Sequence, residues 1–165
     1  MNQPTYRVLF VCLGNICRSP LAEALFKKKI LEKGLQHLIS VDSCGTGNYH
    51  IGEQPDPRTI SVAQKHGVPI QHQCRQLNLN DFKEFDLILA MDESNRRNIL
   101  AKGGDLAKNK VWLMREFDPV PGEEVPDPYH GREKEFQEVY EILDRSADHL
   151  IQYLLDKKLL PNQNL

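Results

Sequence analysis

The sequence predicts an α/β fold: a single domain with a doubly wound, four-stranded parallel sheet and helices on both faces. Three observations predict it. Strand-like and helix-like segments alternate along the 165 residues. Each strand is a short, nearly unbroken apolar run, as strands buried on both faces require. The helical segments repeat apolar residues at spacings of three and four. A length of 165 residues and a hydrophobic fraction of 40% suit one core, so residues 1–165 are read as one domain without internal repeats.

Taken in order, Arg7 to Cys12 (RVLFVC) is the first strand, broken by Leu13-Gly14-Asn15. Ser19-Pro20 then offers an N-cap residue followed by proline at the first helical position. Leu21, Ala22, Leu25, Phe26 and Ile30 form the buried stripe of that helix, and Gly34 stops it. Leu38 to Cys44 is a second strand. Asp56-Pro57 repeats the cap-plus-proline start, for a helix ending near Gly67. Asp86 to Met91 (DLILAM) is a third buried strand, followed by a short helix over about 94–103. Val111 to Met114 is the fourth strand. A proline-rich loop carrying Pro119, Pro121, Gly122, Pro126 and Pro128 leads to a last helix with Phe136, Val139, Tyr140, Leu143, Ala147, Leu150, Ile151 and Leu154 on one stripe.

Composition excludes several function classes. Twenty-one Lys and Arg against 23 Asp and Glu leave a net charge of −2, which lacks the basic face a nucleic-acid binder needs. No apolar stretch approaches the roughly 18–20 residues of a membrane span. The run from Val8 to Leu13 is too short for a signal peptide. Four cysteines, at 12, 17, 44 and 74, are too few for a disulfide scaffold, so a reducing cytoplasm is expected.

In such sheets ligands bind beyond the carboxyl ends of the strands, and Cys12 stands at the end of the first. The segment Cys12-Leu-Gly-Asn-Ile-Cys-Arg18 places a cysteine and an arginine six positions apart between a strand and a helix N-terminus. A tight loop there can turn the N–H groups of Leu13, Gly14, Asn15, Ile16, Cys17 and Arg18 inward as an anion nest, aided by the helix dipole. Arg18 can hold two phosphate oxygens with its planar fork, and Gly14 is expected to supply the dihedral angles of the curl. Ser19 is expected both to cap the helix and to donate to the Cys12 sulfur, which the surrounding donors would hold as a thiolate. Cys-x5-Arg alone is common by chance, and a cysteine after an apolar strand is usually just a small hydrophobe. The strand before the loop, the capped helix after it and Ser19 beside the arginine make catalysis the better reading.

The loop V-C-L-G-N-I-C-R-S-P resembles that of the low-molecular-weight protein-tyrosine phosphatases. The resemblance runs from about residue 6 to 157 and includes D-S-C-G-T at 42–46, M-D-x-x-N at 91–95 and D-P-Y at 127–129. It implies hydrolysis of phosphotyrosine and aryl phosphates through a cysteinyl-phosphate, with Cys12 as nucleophile, Arg18 and the loop amides binding phosphate, and Asp127 as general acid. Read alone, Asp127 between Pro126 and Pro128 would be a turn residue. The resemblance also implies that Asn15, Ser43 and His72 form a polar network supporting the loop, with Asn15 in a strained conformation. It further implies a reversible Cys12–Cys17 disulfide under oxidation, no metal and no cofactor. Leu13, Ile16, Tyr49 and Tyr129 are expected to wall a slot deep enough for a phenyl ring. The implied partners are phosphotyrosine proteins and a tyrosine kinase, and the implied state is a monomer or weak dimer.

One departure is His130, where many relatives carry a second aromatic residue; it bears on the pocket rim rather than the chemistry. The related protein-arginine phosphatases resemble the loop but carry Thr at the place of Ile16. Three other readings compete. A thioredoxin-coupled arsenate reductase would need two further cysteines close together, whereas Cys44 and Cys74 are far apart and residues 75–95 contain none. A zinc-stabilised or redox-sensing module fits poorly with the C-x4-C spacing of Cys12 and Cys17. A phosphate-binding module without turnover would have no use for Asp127.

Overall fold

The computed structural model describes residues 5–161; the ends of the expected 1–165 span, residues 1–4 and 162–165, lie outside the described residues. Its elements run β1 (Tyr6–Cys12), α1 (Arg18–Glu32), β2 (Ile39–Gly45), α2 (Pro57–Lys65), α3 (Asp81–Glu84), β3 (Leu87–Ala90), α4 (Glu93–Gly103), β4 (Val111–Leu113) and α5 (Glu133–Asp156), with 3-10 turns at Gly104–Ala107 and Met114–Phe117. The four strands form one parallel sheet in the order β2-β1-β3-β4. The expected four-stranded, doubly wound sheet is the one observed.

Side-chain alternation splits the core into two layers. Val8, Phe10 and Cys12 of β1 join Leu87 and Leu89 of β3 on one face, packed with α1, α2 and α5. Leu9 and Val11 join Ile88 and Ala90 on the other face, with Phe82 of α3 and Ile99 of α4. Both faces of β1 and β3 are thus covered, which is why the strands read as unbroken apolar runs. Each fully buried apolar side chain of this kind contributes about 1.5–3 kcal/mol. Among the described residues no helix is long and apolar enough to cross a membrane.

The sheet order reverses at β1. The chain leaves β1 through α1 to β2 on one side, and returns across β1 to β3 on the other. The carboxyl end of β1 is therefore the topological switch point, where a crevice opens.

Two sequence expectations at this point are corrected. The helix starts at Arg18, with Cys17 at the N-cap and no side-chain cap; Ser19 lies inside the first turn. Proline at position 20 is still tolerated because the first-turn N–H groups lack intrahelical partners. The left-handed residue of the loop is Asn15, at φ 59°, and Gly14 is not among the residues with positive φ. Gly14 instead leaves room for a neighbour: a Cβ there would stand 3.1 Å from the His50 ring. The Asp56-Pro57 start is as expected, the Asp56 carboxylate accepting the Arg58 N–H at 2.8 Å. The helix after β3 begins at Glu93 with Asp92 as its cap.

Candidate active site

The loop between β1 and α1 is tied down by its carbonyls. Cys12 O accepts Thr46 N–H at 2.9 Å, Leu13 O accepts Gly47 N–H at 2.8 Å, and Ile16 O accepts Asp56 N–H at 2.9 Å. Asn15 O accepts the Cys74 thiol at 2.9 Å. These bonds commit the carbonyls of residues 12, 13, 15 and 16 to the surrounding chain. Among the described residues, the N–H groups of 13–17 donate to no acceptor of the chain. Unpartnered loop donors beside the N-terminus of α1 are what an anion site requires. β2 approaches closely enough to grip the loop because residue 45 is glycine. A Cβ at Gly45 would stand 2.7 Å from Leu13 O and 3.0 Å from Asn15 N.

Asn15 is the keystone of the supporting network, and all four of its side-chain bonding positions are filled. Its amide donates to Ser19 Oγ at 2.8 Å and Ser43 Oγ at 3.1 Å. Its Oδ1 accepts Arg75 N–H at 3.0 Å and lies 2.6 Å from His72 Nε2. The four residues expected to support the loop (Asn15, Ser19, Ser43 and His72) are thus brought together. Ser19 Oγ lies 3.1 Å from Cys12 Sγ. Ser19 Oγ also donates to Cys44 O at 3.3 Å, so its one proton has both that carbonyl and the sulfur within reach.

Behind this network stands Glu23, which the sequence reading missed. It is 3% exposed and accepts Ser43 Oγ at 2.7 Å. It also faces His72 Nδ1 at 3.1 Å and pairs with Lys27. Burial opposes its charge, but hydrogen bonds from His72, Lys27 and Ser43 outweigh that and lower its pKa. A glutamate inside the apolar run Leu21–Phe26 was the available signal. Glu23, Asp42 and His72 are the group whose ligand atoms would reach one metal ion; here those atoms serve the network, Asp42 Oδ1 accepting Ser43 N–H at 2.8 Å.

Arg18 is 2% exposed and is aimed by two acceptors: Nη1 donates to Asp92 Oδ2 at 2.7 Å and to Val125 O at 3.0 Å. Asp92 also caps α4 through Asn95 N–H at 2.7 Å, so one residue of M-D-x-x-N does two jobs. Burial works against the Arg18 charge, but Cys12, Asp92 and Asp127 raise its pKa on balance. Asp127 lies 3.6 Å from Arg18 Nη2, its side chain 46% exposed, and its Oδ1 accepts Tyr129 N–H at 3.1 Å.

Burial holds the thiols of Cys17, Cys44 and Cys74 protonated. Burial pushes Cys17 up to about 12, helped by Asp56. It pushes Cys74 to about 11 and Cys44 well above its ordinary value.

Cys12, Leu13, Gly14, Ile16, Cys17, Arg18, Tyr49, Asp127 and Tyr129 line one cleft of about 410 Å³. That size lies within the roughly 300–1,000 Å³ of small-molecule sites. His50 and His130 complete its rim; His50 went unnoticed in the sequence because a histidine beside Tyr49 in a polar loop has no distinguishing pattern.

The family model for low molecular weight phosphotyrosine protein phosphatases matches residues 7–160. A Schizosaccharomyces pombe protein named low molecular weight phosphotyrosine protein phosphatase is 46% identical over 147 residues, 87% of this chain and 94% of that one. A Homo sapiens protein of the same name is 44% identical over 142 residues, 85% of this chain and 90% of its own. A crystal structure of a protein tyrosine phosphatase from Entamoeba histolytica is similar at a TM-score of 0.90 and 41% identity, covering 93% of this chain and 99% of that one. With its Cys-x5-Arg loop, buried arginine and matching relatives spanning nearly the whole fold, this chain belongs to the low molecular weight phosphotyrosine protein phosphatase family.

Proposed function

We propose that this chain hydrolyses phosphotyrosine in proteins, and aryl phosphate monoesters, through a cysteinyl-phosphate intermediate and without a metal. The observation that carries the reading is the convergence of Cys12, Arg18 and Asp127 on one cleft. The Cys12 thiolate attacks phosphorus, forming the S–P bond as the P–O bond to the phenol breaks. Splitting one displacement into two easier ones is the gain of covalent catalysis. The loop N–H groups and the Arg18 fork hold the equatorial oxygens, whose charge they stabilise in the transition state. Ser19 Oγ, 3.1 Å from Cys12 Sγ, is placed to hydrogen-bond the sulfur in both steps.

Asp127 gives its proton to the departing phenolate oxygen. In the second step it takes a proton from the water that attacks the thiophosphate, releasing inorganic phosphate and Cys12. Tyr49, Tyr129, Leu13 and Ile16 form an apolar wall against which a phenyl ring stacks. A phosphoserine would present no ring to it. Peroxide would convert Cys12 to a sulfenic acid, which the Cys17 thiol then displaces, losing water and closing a disulfide that thiols can reverse. The partners of this reading are phosphotyrosine proteins and the kinases that make them.

Hydrolysis of aryl phosphates by the native chain, Cys12→Ser and Asp127→Ala in excess chelator tests the reading. Cys12→Ser is expected to abolish turnover while still binding vanadate. Asp127→Ala is expected to lower kcat/KM by on the order of 10²–10⁴ for poorly acidic phenols and much less for acidic ones. Turnover that requires added Mg²⁺, or that survives in Cys12→Ser, overturns the assignment.

A further inference from the structure

The stretch from Val125 to Gly131, which carries Asp127, is held at both ends. At the first end, Val125 N–H donates to Met91 O at 2.8 Å and Val125 O accepts from Arg18 at 3.0 Å. At the second end the anchor is Arg58, the second residue of α2. Its Nη2 donates to Tyr129 O at 2.9 Å and its Nη1 to Gly131 O at 3.3 Å. The guanidinium carbon sits 4.5 Å from the Phe136 ring centroid and 5.6 Å from that of Tyr129.

The fork is itself clamped. Asp56 Oδ1 accepts Nε at 3.1 Å and Oδ2 accepts Nη2 at 2.9 Å. Asp56 in turn donates its N–H to Ile16 O, in the phosphate loop. A short chain of bonds therefore runs from the phosphate loop through Asp56 and Arg58 to the carbonyls on either side of His130. Arg58 does not line the cleft, so substrate contact is not its task.

We infer that Arg58 is the positioning residue of the acid loop, setting Asp127 against the leaving-group oxygen; this rests on Asp127 being the proton donor. The lever is local. Tyr129 N–H is the group that orients the Asp127 carboxyl, and Tyr129 O is the group Arg58 holds. Only Pro126, Asp127 and Pro128 lie between the two anchored residues, and the prolines leave few dihedrals free to absorb a shift. Lysine cannot replace the fork, because one ammonium cannot meet a carboxylate in two-pronged fashion and two divergent carbonyls as well.

The test compares kcat/KM across aryl phosphates whose phenols span a wide range of acidity. Misplacement of a catalytic group by an ångström can cost about 10²-fold. Arg58→Met is therefore expected to lose about 10-fold or more on weakly acidic phenols, and less than about twofold on acidic ones that leave unprotonated. Arg58→Lys is expected to show the same steepened dependence, and inhibition by inorganic phosphate is expected to be unchanged in both. In an Asp127→Asn background, Arg58→Met should add no further loss. Equal losses on both phenol classes, or none, overturn the positioning role. If Asp127→Ala meanwhile keeps its leaving-group dependence, the acid assignment stands alone; if it too loses equally on both, that assignment falls as well.

Discussion

The two loops that meet at the cleft are built in opposite ways. The phosphate loop is tied mainly by its own carbonyls to N–H groups of neighbouring backbone, at Thr46, Gly47 and Asp56. Asn15 and Ser19 beneath it are both fully buried. The acid loop is hung on guanidinium groups instead. Arg115 donates to Val120 O, Pro121 O and Glu124 O, Arg18 to Val125 O, and Arg58 to Tyr129 O and Gly131 O. Gly122 permits this, since a Cβ there would collide with the Arg115 guanidinium. Backbone ties fix a cradle in one shape, as charge stabilisation of a transition state demands. Side-chain ties fix the loop's ends while leaving Asp127 half-exposed, as the proton exchange proposed for it requires.

Arg18 belongs to both regions, so its loss is expected to be the largest effect. Arg18→Lys removes the two-pronged grip proposed for phosphate, because an ammonium meeting Asp92 and Val125 as Nη1 does leaves no second nitrogen to face the phosphate. A fall of about 10³–10⁵ in kcat/KM is expected, of the order seen when a transition-state arginine is lost. It should strike acidic and weakly acidic phenols alike, because it acts on the phosphoryl group and not on the proton. A loss confined to weakly acidic phenols would instead place Arg18 chiefly with the acid loop and break the comparison.

The same contrast explains what could be read from the sequence. β1, β3 and the α1 stripe follow from apolar runs and periodicity, and the cradle follows from them, because its residues are contiguous. Cys12, Asn15 and Arg18 lie within seven positions on a strand-loop-helix whose geometry is local. The supports were harder to see. Arg75 reaches Asn15 across 60 residues through its backbone N–H, which no side-chain pattern reveals. Arg58 lay in plain view behind a recognised cap, yet its partners at 129 and 131 are set only once α2 packs beside α5. Ser-Pro usually opens a helix with Ser as its cap, but here Ser19 lies inside the first turn. The helix starts at Arg18 instead, which leaves the Ser19 hydroxyl between the Cys12 sulfur and Cys44 O.

Asn15 offers the next largest effect, this time on the cradle alone. Its φ of 59° costs most residues about 1–2 kcal/mol, and Asn tolerates it best after glycine. Asn15→Ala adds that strain and strands the polar groups of Ser43, His72 and Arg75 that faced it. A loss of roughly 2–4 kcal/mol in chemical denaturation is expected from the two terms together, with weaker vanadate binding. Asn15→Gly should recover the strain and not the hydrogen bonds. The leaving-group dependence of residual turnover should be unchanged, since the acid loop makes no bond to Asn15. An altered dependence would mean that the two loops are less separable than their tethers imply.

The smallest effect concerns pH and Glu23. Its carboxylate is held below the ordinary value of 4.5 despite burial, so its contribution to stability is fully present above that value. It is lost as pH falls below about 4.5 and through the lowered folded-state value. Thermal melts of the native chain and Glu23→Gln should therefore differ most near neutrality and converge below about pH 4.5. Because Glu23 acts through Ser43 and His72 on Asn15, vanadate affinity should follow the same convergence. Arg58→Met should show a separate deficit that fades only below about pH 3.8, because bonds from Arg58 hold the Asp56 carboxyl below its ordinary value of 3.8 despite burial. A Glu23→Gln deficit that persisted unchanged into acid would show that the carboxylate supports the cradle by its shape and not its charge.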